Sequence, residues 1–226
     1  MKNRPKVTCI VPAYNEAGRI ENVLPILIDS PLIDEIIVVD DGSSDGTGEI
    51  VRKNFPNLKV IKKAKNEGKA NAMITGARKA QNPILFFCDA DLTGLTQDHL
   101  KKIILPVVNG EIRMAVGAQE YMNTLKKSPD KPMTEFIKKL GGEKVLWKKD
   151  FLAIPGLLNS GYGIEQKITA FFEKENWPFK CFILNGVGHY HKIKKWRVQG
   201  ALKEIKALVT FAYQKLFVSK KIKPKY

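Results

Sequence analysis

Cysteine is scarce in this chain: three in 226 residues, at Cys9, Cys88 and Cys181, with no Cys-x-x-Cys or Cys/His ligand spacing. That excludes a disulfide framework and a thiolate metal centre, and each thiol lies in an apolar, strand-like run that reads as core. Long hydrophobic runs are missing as well. Near the N-terminus only Val7 to Pro12 is continuously apolar, too short for a signal-peptide core or a membrane span, so the expected location is cytoplasmic. No Gly-x-x-x-x-Gly-Lys-Ser/Thr occurs, and no Gly-x-Gly-x-x-Gly follows the first strand, which argues against a Walker-type NTPase and a dinucleotide site. There is no internal repeat or low-complexity tract. Acidic residues thin out in the second half: residues 1–100 hold 13 Lys+Arg and 13 Asp+Glu, whereas residues 101–226 hold 25 and 10, so the whole formal net charge of +15 lies there. Such asymmetry suggests an anionic partner for the second half (a phosphorylated acceptor, a membrane surface or nucleic acid), against the plainer reading of a lysine-rich solvated surface. Aromatics are not clustered among the basic residues apart from Tyr190 and Trp196, which speaks against nucleic acid.

What the chain does have is a composition able to bury a core, 44% hydrophobic and 27% charged, and a repeating pattern. β-branched apolar runs at 6–12, 34–41, 57–63 and 82–90 alternate with helix-like segments at 17–30, 43–55 and 68–80. Strand, helix, strand in repetition predicts an α/β fold: a mostly parallel, Rossmann-like sheet with helices on both faces, whose ligands sit at the carboxyl edge of the strands. A helix over 96–108 and a strand over 113–118 follow. Residues 121–150 are polar, basic and broken by Pro and Gly, and read as a mobile acceptor-side region; then come a helix over 161–176, a strand over 178–187 and a terminal helix over 201–218.

Three polar clusters end predicted strands and would meet on one edge. Asp89-Ala90-Asp91 directly follows Ile-Leu-Phe-Phe-Cys, and two carboxylates so close together repel unless a cation lies between them; oxygen ligands suit Mg2+ or Mn2+. In Val-Pro-Ala-Tyr-Asn-Glu-Ala, Tyr14 could stack on a base and Glu16 accept from a ribose, unless Asn15 or Glu16 only caps the next helix. In Val-Val-Asp-Asp-Gly-Ser-Ser-Asp-Gly-Thr, Asp40 and Asp41 offer acceptors for a base N–H, or serve a capped turn. Gly68-Lys69 opens a helix, and an amide-rich helix start beside a lysine favours phosphate.

Taken together, the segments VPAYNEA, VVDDGSSDGT, NEGKANA and FCDADL resemble the inverting family 2 glycosyltransferases of the GT-A fold, closely over residues 5 to about 118. The second half is similar, more loosely, to small bacterial and archaeal members in GGEKVL (141–146), GYGIE (161–165) and GVGHYHK (186–192). The resemblance implies one continuous GT-A domain, with a donor half at 1–118 and an acceptor half at 119–226 ending in a basic helix. It implies that the run from Pro12 through Ala13 and Tyr14 to Glu16, with Asp40 and Asp41, meets the nucleoside of a UDP- or GDP-sugar, that Lys69 meets the diphosphate, and that Asp89, Ala90 and Asp91 frame a divalent metal and its diphosphate. One of His189 and His191 completes the metal sphere; the Gly-Val-x-His register favours His189, but both would fall on one face of an extended segment. Two departures stand out: Ala70 replaces a glycine of the family pattern, and Lys144 replaces an arginine.

The expected chemistry is transfer of a sugar to an acceptor hydroxyl by single displacement, with Asp91 at the metal and Glu165 as the base, Asp150 being the second choice. Lys192, Lys194, Lys195 and Arg197 could hold acceptor phosphate. The alternatives are a polyprenyl-phosphate sugar synthase, peripheral at the inner membrane face through the basic terminal helix, and a non-catalytic basic binding module.

Overall fold

The computed structural model describes residues 4–119 and 141–189. In chain order these form β1 (Val7–Ala13), α1 (Ile20–Ile28), β2 (Glu35–Asp40), α2 (Thr47–Asn54), β3 (Lys59–Lys62), α3 (Lys69–Lys79), β4 (Ile84–Phe87), β5 (Leu92–Thr93), α4 (Gln97–Val108) and β6 (Met114–Gln119). After the undescribed segment come β7 (Glu143–Trp147), α5 (Lys148–Ala153), a 3-10 turn over Leu157–Gly163, α6 (Ile164–Lys174), β8 (Phe179–Leu184) and β9 (Gly188–His189).

Seven strands make one sheet in the order β3-β2-β1-β4-β7-β6-β8, and β5 pairs with β9 in a separate two-stranded ribbon. Every neighbouring pair in the large sheet is parallel except those of β7, which runs antiparallel to both β4 and β6. The expected mostly parallel sheet is present, but the reading of 121–150 needs correction at its end. Residues 143–147 are a nearly central strand, with Glu143, Lys144, Val145 and Leu146 all buried. Two charged residues at its start broke the apolar run that marks a strand covered on both faces. The rest of that segment and the predicted terminal helix lie outside the described residues.

Alternation along the strands divides the core in two. Cys9, Val11, Val38, Phe86, Ala115 and Val145 face one layer with α1 and α4. Ile10, Ile37, Leu85, Phe87, Met114 and Leu146 face the other, with α3 and α6. Ala70, where a glycine was expected, is 1% exposed in that second layer, so its methyl packs and α3 still starts at Lys69.

Candidate active site

The carboxyl edge of β1, β2 and β4 gathers the predicted motifs. After β1 the chain turns at Asn15, whose φ of 56° is a left-handed conformation that asparagine tolerates better than most residues. Its side chain accepts from Ser44 N–H at 3.0 Å, which ties the first motif to the second. Pro12 is half-buried, Ala13 buried, and Tyr14 projects with 45% of its surface exposed. Glu16 is buried; its backbone N–H donates to Thr47 Oγ1 at 2.9 Å, its carbonyl accepts from the start of α1, and its carboxylate pairs with Arg19.

Asp40 and Asp41 differ from their expected role as open acceptors. Asp40 is fully buried, and its Oδ1 accepts from Ser43 N–H at 2.8 Å, holding the turn. Asp41, 2% exposed, accepts from Gly68 N–H at 2.7 Å, from Glu67 N–H at 3.2 Å and from the Lys63 ammonium at 2.7 Å. It therefore fixes the loop that launches α3. Gly68 has φ 91° and ψ 160°, a region essentially reserved for glycine, and this bend delivers Lys69 to the edge.

Asp89 and Asp91 lie just past β4, with Ala90 buried between them. The β5–β9 ribbon, in which Leu92 pairs with His189, brings a residue from 98 positions away onto this pair. His189 Nδ1 lies 2.8 Å from Asp91 Oδ1, and His189 Nε2 lies 3.9 Å from Asp89 Oδ2 and 2.6 Å from Gln119 Nε2. One ligand atom from each of Asp89, Asp91 and His189 falls within 4.8 Å of the others. Two carboxylates and an imidazole within that spacing are a donor set that a manganese or magnesium ion accepts, so these residues fit the expected metal. Burial works against a charged imidazole, but the bond to Asp91 and the negative charges of Asp89, Asp91 and Glu143 outweigh it and raise the His189 pKa. His191, the other candidate, lies outside the described residues, as do Lys192, Lys194, Lys195 and Arg197.

Across the sheet, Lys69 Nζ bridges Asp89 Oδ1 at 2.7 Å and Glu165 Oε1 at 2.5 Å. Burial alone would lower this lysine's pKa; the two carboxylates more than offset that and raise it. Glu165, in the first turn of α6 as expected, is 9% exposed, so the predicted base and the predicted metal ligand share one ammonium. Asp150 is at the other end of the sheet. It accepts two bonds from Arg113, at 3.0 and 2.6 Å, and Arg113 directly precedes β6, so the second-choice base is a structural anchor.

Three buried polar residues at the site carry roles the sequence reading did not give them. Glu143 and Lys144 leave β7 on opposite faces, and Gln119 ends β6. Burial, with the charge of Asp89, pushes the Glu143 carboxyl up to about 7; burial pushes the Lys144 ammonium down to about 8, with Glu165 opposing that fall. Lys144, fully buried, donates from Nζ to Gly141 O at 2.7 Å. The signal for both residues was a charged pair directly after Gly141-Gly142 and before an apolar run.

A sequence model of the family described as glycosyl transferase family 2 matches residues 8–170. The chain belongs to this family. A dolichyl-phosphate beta-glucosyltransferase of Trichomonas vaginalis is 32% identical over 148 residues, which cover 58% of this chain and 43% of that protein. A UDP-N-acetylglucosamine–dolichyl-phosphate N-acetylglucosaminyltransferase of Methanococcus voltae is 34% identical over 150 residues, covering 58% of each. The chain thus spans about half the length of these curated relatives. Among solved structures, glucosyl-3-phosphoglycerate synthase from Mycobacterium tuberculosis, in complex with Mn2+, UDP and glucosyl-3-phosphoglycerate, superposes with a TM-score of 0.68 at 22% identity, over 83% of this chain and 73% of that one. The family 2 fold is the GT-A arrangement that the strand-end motifs implied. Among the described residues, no helix is long and apolar enough to cross a membrane.

Proposed function

We propose that this family 2 chain transfers a sugar from a nucleoside-diphosphate donor to a phosphate-bearing acceptor. The observation that carries the reading is the convergence of Asp89, Asp91 and His189 on one side of the strand edge with Lys69 and Glu165 on the other. The nucleoside would lie along Pro12, Ala13 and the exposed Tyr14 ring, toward Glu16. Reaching Asp41 requires displacing Lys63 or the amides of Glu67 and Gly68. Asp40 acts through the turn it holds. Asp89, Asp91 and His189 would hold the Mg2+ or Mn2+ ion, whose chemistry is to neutralise charge on the departing diphosphate.

Lys69 is the pivot. A diphosphate arriving beside it competes for the ammonium that now holds Glu165, so donor binding releases the base. The acceptor hydroxyl then gives its proton to Glu165 while its oxygen bonds to the anomeric carbon; the bond from that carbon to the diphosphate breaks, and the diphosphate leaves with the electron pair. A single displacement of this kind inverts the anomeric centre, which NMR of the product reads directly.

Residues 1–118 form the donor half in this reading and residues 119–226 the acceptor half, whose 22 Lys+Arg against 9 Asp+Glu, a formal net of +13, suit an anionic acceptor. The curated relatives are named for dolichyl phosphate and the solved relative holds a phosphoglycerate product, so a phosphate on the acceptor is the common element. A lipid-linked phosphate is the second reading, favoured by the dolichyl-phosphate relatives; it places the protein peripherally at the inner membrane face. Incubation with labelled UDP- and GDP-sugars in Mn2+, followed by organic extraction, separates the two: label in the organic phase supports the lipid acceptor, and a labelled aqueous product resolved from the unreacted donor supports a soluble one. No rise in melting temperature with any nucleotide sugar and Mn2+ would overturn the donor reading.

A further inference from the structure

Behind the triad of Asp89, Asp91 and His189 lies a carboxyl that the proposed reaction does not use. Glu143 is 0% exposed, and both its oxygens are without a hydrogen-bond partner among the described residues. A carboxylate in that condition is costly, and proteins retain one where something positive is meant to face it. Space has been made for it. Gly117 pairs with Glu143 across the β6–β7 ladder, and a Cβ at Gly117 would stand 2.9 Å from the Glu143 Cβ. The preceding Gly142 lies close under the metal-site acid: a Cβ there would come within 2.6 Å of Asp89 Oδ2. Glu143 shares its sheet face with Gln119, which touches His189 Nε2 at 2.6 Å and whose Oε1 is likewise buried and unpartnered among the described residues. The neighbouring Lys144 leaves β7 on the other face and donates to Gly141 O. Asp89 and His189 are the groups whose charges Glu143 feels most after its own burial.

We propose that Glu143 is a positioning residue of the cation site: a buried carboxyl set behind Asp89 and His189 that tightens the hold of those residues on a divalent ion. This rests on the reading of that triad as the metal site. At this depth water screens poorly, so one more negative charge, on the strand face it shares with Gln119 and next in sequence to the Gly142 that lies against Asp89, deepens the well for a dication without occupying a coordination position.

Direct titration of Mn2+, with free ion counted by electron paramagnetic resonance, tests this in the whole chain without donor or acceptor. Wild type, D91A, E143Q and E143M are compared, with the melting temperature of each recorded in chelator. The expected result is Mn2+ affinity weakened about 10- to 100-fold in both Glu143 variants, with melting temperatures in chelator equal to or above wild type, because an unpaired buried acid has been removed. Mn2+ affinity within about twofold of wild type in E143Q and E143M would overturn the inference. So would weakened affinity in both variants accompanied by a lower melting temperature in chelator, which marks a merely structural residue. Wild type that binds no Mn2+ sinks the metal-site reading and this inference with it; binding abolished in D91A but intact in E143Q sinks the inference alone.

Discussion

Glu143 and Lys144 are adjacent, both fully buried and of opposite charge, yet they serve two unlike halves of one site. On Glu143's side, Asp89, Asp91 and His189 crowd together, and two buried residues, Glu143 and Gln119, have oxygens without partners among the described residues. On Lys144's side, Lys69 is closed between Asp89 and Glu165, and Lys144 itself donates to a carbonyl. One side is an excess of acceptors that calls for a cation; the other pairs its charges within the protein. Asp89 belongs to both, bonded to Lys69 and facing His189. In the proposed reading the first side takes the metal, and the second is opened by the substrate before it acts.

Removing one acid from the cation side should separate the halves most sharply. Asp91→Ala deletes a carboxylate that touches His189. Transfer from a nucleotide sugar, measured as kcat/KM, should fall on the order of 10³-fold, the scale lost with a charge clamp on a leaving group. The Lys69–Glu165 pair should survive. Opening the other side has the next largest effect. Glu165→Gln removes the base while keeping its shape, and with a hydroxyl acceptor kcat should fall by about 10²-fold or more. With a phosphate oxygen as the nucleophile there is no proton to remove, and the loss should be within a few-fold. The same variant should bind Mn2+ as wild type does, because Glu165 is no part of the triad.

Much of the cation side was legible in the sequence. Asp89 and Asp91 announce themselves by ending an apolar run, and strand-helix alternation places that end at the ligand edge. His189 was reachable through the Gly-Val-x-His register, although spacing alone could not choose between it and His191; the two-residue ribbon that docks it is too short to leave a periodic signal. The lysine side was legible only as separate pieces. Gly68-Lys69 and Glu165 were each singled out, but their ion pair joins residues 96 positions apart, and no local pattern encodes that contact. β7 was missed for a physical reason. A reversed strand inserted between β4 and β6 breaks the strand-helix alternation, and its first two residues carry charges because they floor the site. Asp40 and Asp41 were found, but a double acid in a turn reads alike whether it meets a ligand or the backbone, and in this structure Asp40 Oδ1 and Asp41 accept from backbone amides.

The two residues of β7 should also titrate in opposite senses. In the folded chain Glu143 is raised from the ordinary 4.5 to about 7, so the folded state holds more protons than the unfolded one between those values, and stability should decline as pH rises through that window. Lys144 is lowered from 10.5 to about 8, so the unfolded state holds more protons between pH 8 and 10.5, and stability should rise there. Each shift corresponds to roughly 3 kcal/mol across its window. Urea unfolding in chelator from pH 4.5 to 10.5 should therefore show a shallow minimum between the two windows. E143Q should flatten the acid limb alone, and K144M the alkaline limb alone. One variant flattening both limbs would show that the two windows do not belong to separate residues.

The smallest effect should come from a buried charge pair outside both halves. Asp150 is 3% exposed and takes two bonds from Arg113, whose guanidinium also lies 3.7 Å over the Trp177 ring, at the edge of the sheet away from the motifs. Because about a third of the Arg113 side chain meets solvent, water can take over part of its charge, and Asp150→Asn should cost about 1 to 2 kcal/mol rather than the full penalty of a broken buried pair. Mn2+ affinity and kcat should stay within about twofold of wild type. A large loss of transfer with the fold intact would show that charge at the far edge reaches the chemistry, and the division into a cation side and a lysine side would then be too narrow a description of the site.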